Sequence, residues 1–484
     1  MPAIKAAGAD MGLNIQPPIA GIAAMAADRA TAAATLNRWT VAIAAAVVML
    51  TTGTLYSWAI FTQPLLAAYH WDVTATTATF SIANFSLATV GAIIGGLWQD
   101  KVGPRRVALA GVTLWGVGNL LAGLGTAFMG APWLYLTYGV IGGVGVGMAY
   151  ITPLAMVTKW FPDKKGLVGG LVVGAFGLGA FVYNQFVPRL DSFHTASAHA
   201  AGYIAAMAAA RTAGVTFDPS KLTVAQTFTA TDSNSLMRVF VISGIVFLIA
   251  GLAAAAQFRN PPPHYGANSG AASAPDYGYS PSQVIMMPQL YLLWLQLFVS
   301  VISGITIISN AVFILADLTG LNASDIAPLF GLVTLCNALG RLLWGALSDR
   351  IGCNHTFAAM FAVQALTLFF LGEVHTLPPA LVAVAVILLC CGGGFGTMPS
   401  FNAGYFGTKF MGLNYGLILS AWGFAGLIGP LLVARVKDLS GSFAAMLPYF
   451  ALSLAAAVIL PFITKKPPAA DTQCASEGSC ATSR

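Results

Sequence analysis

Twelve runs of apolar residues, each close to the length a helix needs to cross a bilayer, run through this chain and set what it folds into. They fall roughly at 39–66, 78–99, 107–128, 133–156, 166–188, 237–257, 288–315, 326–347, 355–373, 378–402, 412–434 and 442–464. In lipid every backbone N–H and C=O needs an internal partner, so runs of this kind are helices. They are too long and too continuously apolar for the alternating strands of a membrane barrel. Composition agrees. Of 484 residues 57% are hydrophobic and only 8% charged, too few charges to cover a water-soluble protein of this size. The fold class is therefore an all-α membrane protein with twelve transmembrane helices.

The formal charge of +6 raises the question of an anionic macromolecule as partner. The basic residues are scattered over loops and make no basic helix or patch, which excludes nucleic acid. They read instead as topology signals. With both termini cytoplasmic, fifteen Lys and Arg lie inside and six outside, leaving Arg341 within a span; the bias gives the orientation.

Residues 1–38 read as a cytoplasmic tail rather than a signal peptide. Residues 39–257 make a first six-helix bundle, with an outer loop at 189–236 expected as a surface loop carrying a short helix. The Pro-, Gly- and Ser-rich segment 258–286 has the composition of a linker and divides the chain after its sixth span. Residues 287–465 make the second bundle and 466–484 a cytoplasmic tail. Six cysteines (Cys336, Cys353, Cys390, Cys391, Cys474 and Cys480) show no zinc or redox spacing and read as inert thiols. The six histidines are scattered, no Ser/His/Asp or metal-ligand cluster appears, and no phosphate loop for ATP is present. The chain reads as no enzyme, with no catalytic or metal residues and no cofactor.

Each half carries one copy of a short signature. GLWQDKVG at 96–103 follows the second span and GALSDRIG at 345–352 the eighth. Both read G-x-x-x-D-[KR]-[VI]-G, and repeats at matching positions of two halves are typical of secondary transporters. With that repeat, the chain resembles the major facilitator superfamily over essentially its full length. The resemblance implies two pseudo-symmetric six-helix bundles around a central cavity that opens to either side in turn. It also implies a cytoplasmic latch formed by Asp100 and Arg105, with Asp349 and Arg350 as the weaker copy. A carboxylate near a helix N-terminus gains from the dipole and the free N–H groups there.

The stretch TLCNALGRLLWGALSDRIG at 334–352 sets Arg341 in apolar surroundings. It lies eight residues before Asp349, about 12 Å along a helix, which strains any snorkelling to the surface. A charge at mid-bilayer costs about 2.5–3.5 kcal/mol on insertion scales and belongs in the bundle interior. Every Asp and Glu falls in a loop, a tail or a helix end. The compensating partner is then a set of backbone carbonyls or water, or an anion that arrives as ligand. Guanidinium matches a carboxylate bidentately. Asn337, one turn earlier on the same face, either adds a hydrogen bond to that anion or orients Arg341. Tyr56, Tyr150, Phe401, Tyr405 and Trp422 read either as packing or as the wall of a small-anion pocket. Small-residue stripes on the fourth and fifth spans favour close helix approach. The glycines 392–396 with Pro399 read as close packing or as a gating bend in the tenth span.

The segments KWFPDKKGLVGGLVVGAFGLGA (159–180), CGGGFGTMPSFNAGYFGTK (391–409) and YGLILSAWGFAGLIGP (415–430) narrow the resemblance. They are similar to the oxalate/formate antiporter family, in its branch linked to L-lactate and related monocarboxylates. Carried onto this chain, the resemblance makes Arg341 the carboxylate-binding residue. Oxalate-exchanging members have a lysine near the place of Trp422. The resemblance thus implies a secondary transporter of a monovalent anion such as lactate, pyruvate or formate in the inner membrane. It is expected to be monomeric, with proton symport and anion exchange both open. Oxalate/formate exchange is the alternative, and a sensor built on the transporter fold a further one.

Overall fold

The computed structural model describes residues 37–71, 73–218, 221–262, 278–321, 332–440 and 444–468, together with 326 and 329. The expected tails (up to 36 and from 469), most of the linker, the approach to the eighth span, and Cys474 and Cys480 lie outside the described residues.

The first predicted span is broken: α1 (Arg38–Gly53) passes through a tight turn at 54–57 into α2 (Ala59–Tyr69), which contains Pro64. The second is α3 (Val73–Phe85) continuing through a π-helical stretch, Ser86–Gly91, into α4 (Ala92–Val102). Spans three and four are α5 (Pro104–Leu134) and α6 (Gly143–Trp160), joined end to end with a bend at Gly130. Then come α7 (Lys165–Phe186), α8 (Asp191–Thr212), α9 (Ala230–Ala255), the single turn α10 (Pro281–Ile285) and α11 (Pro288–Thr319). The remainder is α12 (Leu335–Ile351), α13 (Cys353–Leu371), α14 (Leu377–Phe406), α15 (Met411–Ser440), α16 (Leu447–Ala457) and α17 (Leu460–Ile463). Among the described residues each predicted run overlaps a helix or a broken pair of helices; parts of the runs 326–347 and 442–464 lie outside those residues. Among the described residues nine helices are long and apolar enough to cross a membrane, the joined α5–α6 counting as one, and Leu447–Ile463 is a shorter apolar stretch.

The repeated signature folds the same way twice. Gly103 (φ 85, ψ 169) ends α4 and Gly352 (φ 83, ψ 154) ends α12. Both lie in the left-handed region open to glycine but costly to other residues, so the invariant last letter of the motif is a backbone requirement. These two turns mark one end of the bundle, called here the basic end. The opposite end carries α8.

That far end departs from expectation. The segment 189–236 carries not a short helix but one of 22 residues, α8. The described residues 213–218 and 221–229 after it are irregular apart from short turns such as Val224–Gln226, and α9 starts already at Ala230. Phe193, Ala196, Ala200 and Tyr203 are buried at helical spacing, and Ala200 and Tyr203 pack on Ala67 of α2. Tyr203 Oη lies 2.9 Å from His70 Nδ1 and His199 Nδ1 lies 3.0 Å from Asp232 Oδ2. Alanine-rich sequence of low amphipathicity concealed a helix that tertiary contacts hold in place.

The tenth-span glycines resolve toward packing. α14 is one continuous helix through Pro399. At Gly396 a side-chain carbon would collide with the backbone carbonyl of Arg341, and at Gly170 of α7 it would collide with the same carbonyl from the other side. Glycine at both places lets α12 sit at backbone contact between α7 and α14. That close clasp fixes the depth of Arg341.

Candidate functional site

Arg341 is 2% exposed in the middle of that clasp. Its Nη1 donates to Val173 O of α7 at 3.0 Å. Its Nε and Nη2 donate to Asn337 Oδ1 at 3.3 and 3.1 Å. Asn337 Nδ2 in turn donates to Leu388 O of α14 at 3.3 Å. Asn337 therefore orients the guanidinium and is itself held by α14; of the two roles expected for it, this geometry fits the orienting one. No carboxylate pairs with Arg341 among the described residues. Guanidinium carries five N–H donors. Three are used, so one on each terminal nitrogen has no protein acceptor among the described residues.

Aromatic rings enclose the charge. The Arg341 Cζ lies 5.0 Å from the Phe395 ring centre and 5.8 Å from that of Phe176, both within cation–π range. Trp422 of α15 stands edge-on to Phe395 at 5.0 Å and tilted to Tyr150 at 5.7 Å and Tyr56 at 5.8 Å. Phe176 meets Tyr150 at 5.2 Å and Tyr56 at 5.3 Å, both edge to face. The helix break at 54–57 turns Tyr56 inward between the two halves. Both halves thus contribute to one aromatic cage around one cation. Tyr150 Oη and Tyr415 Oη are buried beside each other there, and Trp422 Nε1 beside Tyr56, yet none of the three has a partner at hydrogen-bonding geometry. Buried polar groups without partners are uncommon in folded proteins, and three beside one cation form a set of donors ready for an anion.

Of the expected pocket residues, Arg341, Asn337, Tyr56, Tyr150 and Trp422 come together. Phe401 and Tyr405 do not join them. Phe401 packs on Phe357 at 5.5 Å, and Tyr405 Oη donates to Thr464 O at 2.6 Å, near the basic end. They share a helix face with each other, but it is the face turned to α13 and the end of the last span. Phe176, Phe395, Tyr415 and the Val173 carbonyl were not picked out in the sequence. Phe395 was open to discovery: it lies three residues after Gly392 and next to Gly396, the close-contact face of α14.

At the basic end the two signature carboxylates make matching contacts. Asp100 Oδ1 and Oδ2 accept from Gly412 N at 3.1 Å and Leu413 N at 2.9 Å, the first turn of α15. Asp349 Oδ1 and Oδ2 accept from Gly166 N at 2.7 Å and Leu167 N at 2.8 Å, the first turn of α7. Each is a fork on a helix N-terminus in the opposite half, where free N–H groups and the dipole favour an anion. Asp349 is thus no weaker copy of Asp100. Arg105 and Arg350 are exposed and make no ion pair among the described residues, so the fastening is carried by carboxylate and backbone.

Comparison with known proteins adds to this geometry. The sequence pattern described as Major Facilitator Superfamily matches residues 30–229, 223–430 and 292–479. The chain is similar to the "Oxalate:formate antiporter" of Oxalobacter formigenes, 27% identical over 163 residues, covering 33% of this chain and 39% of that protein. It is similar also to "Apicoplast pyruvate carrier 1" of Toxoplasma gondii, 32% identical over 124 residues, covering 25% of this chain and 23% of that one. The matched segments thus span well under half the length of these relatives. Among solved structures, the transporter FucP in the outward conformation matches 88% of this chain and 99% of its own, with a TM-score of 0.66 at 15% identity, a likeness of fold.

Proposed function

The chain belongs to the Major Facilitator Superfamily, and on that premise we propose that it is a secondary carrier of small monocarboxylate anions of the lactate, pyruvate or formate type. The observation that carries this reading is Arg341: a cation 2% exposed, with neutral acceptors only and one unused N–H on each terminal nitrogen. A carboxylate suits that fork. It supplies the counter-charge that no described acid provides, and it costs the ligand its hydration only where the aromatic cage excludes water. Tyr150, Tyr415 and Trp422 stand ready to donate to the anion's second oxygen or to a 2-oxo or 2-hydroxy group. No further Lys or Arg is described in the cage, so a dianion such as oxalate meets half the charge it needs. The relatives' names, an oxalate:formate antiporter and a pyruvate carrier, agree with a carboxylate substrate.

Transport on this reading is alternating access. Asp100 and Asp349 hold the basic end shut, which faces the cytoplasm of an inner membrane, and release α15 and α7 when the halves rock the other way. Arg341, Asn337, Tyr56, Tyr150 and Trp422 hold the substrate; Asp100 and Asp349 gate. The protein works as a monomer, with a proton or a second anion as the coupled species.

The test is uptake of labelled L-lactate into proteoliposomes with unlabelled competitors. Lactate, pyruvate and formate are expected to compete, and oxalate to compete at least about tenfold less well, the scale of one missing charged hydrogen bond. Equal or better competition by oxalate would favour the exchanger instead, and no competition by any carboxylate would overturn the reading.

A further inference from the structure

Far from the cage, at the end of the bundle that carries α8, a hollow of about 390 Å³ opens between α5 and α9. Gly123 and Leu124 line it from α5, and Asn234, Met237, Arg238, Val241 and Ile242 from α9. We propose that this hollow is a binding site for an anionic glycerophospholipid of the adjoining leaflet, with its phosphate on Arg238 and Asn234 and an acyl chain along the apolar wall.

Three observations converge on it. First, Arg238 is exposed and pairs with no acid among the described residues. Asp232, the acid nearest in sequence, is already engaged by His199 Nδ1 at 3.0 Å and by Thr229 Oγ1 at 2.7 Å. Second, Asn234 lies one helical turn before Arg238, so an amide and a guanidinium share one face. Such a pair offers a phosphate several N–H donors, and arginine's planar fork suits phosphate oxygens. Third, the wall continues as a surface that meets hydrocarbon. Leu124 is 62% exposed, Ile242 56% and Ile249 68%. Arg238 sits within the first turns of α9 from its outer end, at the depth of headgroups, where the charge meets phosphates and the apolar wall below it meets acyl chains. A free anion would use only the upper part of this arrangement. A lipid uses both, which decides between the two sources of phosphate.

The purified full chain in detergent tests this. It is titrated with dioleoylphosphatidylglycerol, dioleoylphosphatidylcholine or inorganic phosphate, and bound lipid is counted by native mass spectrometry alongside the melting temperature. The native chain is expected to bind the glycerol lipid about tenfold more tightly than the choline lipid, and inorganic phosphate far more weakly than either. Arg238→Gln removes that preference, and Arg238→Lys keeps part of it. Val241→Phe fills the hollow and weakens lipid binding although the cation remains. All three changes are at exposed or half-buried positions, and the melting temperature without lipid reports whether each variant folds. The proposal is overturned if Arg238→Gln binds the glycerol lipid as the native chain does, or if inorganic phosphate protects as well as the lipid.

Discussion

At the scale of single residues the central feature is a cation with its acceptors counted. Asn337 Oδ1 takes two of the Arg341 donors and the Val173 carbonyl a third. A neutral partner positions the guanidinium without cancelling its charge, and that distinction is testable by one atom pair. Asn337→Asp would place a carboxylate where the amide now sits, fill the fork, and repel an incoming anion. Like-charge contacts cost several kcal/mol, so lactate affinity is expected to fall at least about a hundredfold, with the melting temperature reporting whether the variant, which loses the Asn337 Nδ2 bond to Leu388 O, still folds. Direct binding measurements on the purified variant check this, and unchanged affinity would mean that Arg341 does not face the ligand. Trp422 offers the opposite change. It is 1% exposed and packed against Phe395, Tyr150 and Tyr56, so Trp422→Lys brings a second cation into the same cage. The ratio of oxalate to lactate inhibition is expected to rise by about tenfold or more, since each charged hydrogen bond contributes about 1.5–3 kcal/mol. Arg341 was legible in the sequence because a charge in an apolar run has few places to go. Phe176 and Tyr415 were not, because aromatic residues in apolar helices are ordinary and only the folded chain shows which of them meet.

At the scale of helices, contacts between the halves rest on two kinds of device. One is glycine at backbone contact, as where Gly170 of α7 admits the Arg341 carbonyl of α12. The other is the pair of carboxylate forks, Asp100 on α15 and Asp349 on α7. Asp349→Asn keeps the shape but replaces an acceptor oxygen by an NH2 that faces a backbone N–H. Loss of one charged hydrogen bond shifts the closed–open balance of the basic end by about ten- to a hundredfold. Asp100→Asn is expected to do the same, and the double variant to do more than either. Hydrogen exchange at the first turns of α7 and α15 reads this directly: faster exchange in the variants is the expected result, and unchanged protection would show that the forks do not hold the halves together. The signature itself was readable in the sequence, since G-x-x-x-D-[KR]-[VI]-G occurs once per half. Its equality was not. Basic residues beside Asp100 made that copy look stronger, whereas the fastening uses backbone N–H groups, which every sequence has. The helix α8 escaped for a related reason: alanine-rich sequence states no preference until Ala67 and His70 supply a surface to lie on.

At the scale of the whole molecule, the apolar runs and the paired turns at Gly103 and Gly352 carry the architecture. Hydropathy and backbone satisfaction in lipid leave few alternatives, which is why the architecture was legible in the sequence and the composition of the cage only in part. One cage built by both halves around one cation is what a carrier needs if binding is to be read by both halves as they move. On the proposed function, transport, binding and gating depend together on a counter-charge delivered from solution. The most direct measurement is labelled L-lactate uptake into proteoliposomes holding equal amounts of folded native, Arg341→Lys and Arg341→Ala protein. Arg341→Lys, which keeps charge but loses the planar fork, is predicted to need about a hundredfold more lactate for half-maximal uptake, and Arg341→Ala to give no uptake above empty liposomes. Native-rate transport by Arg341→Ala would contradict the assignment outright.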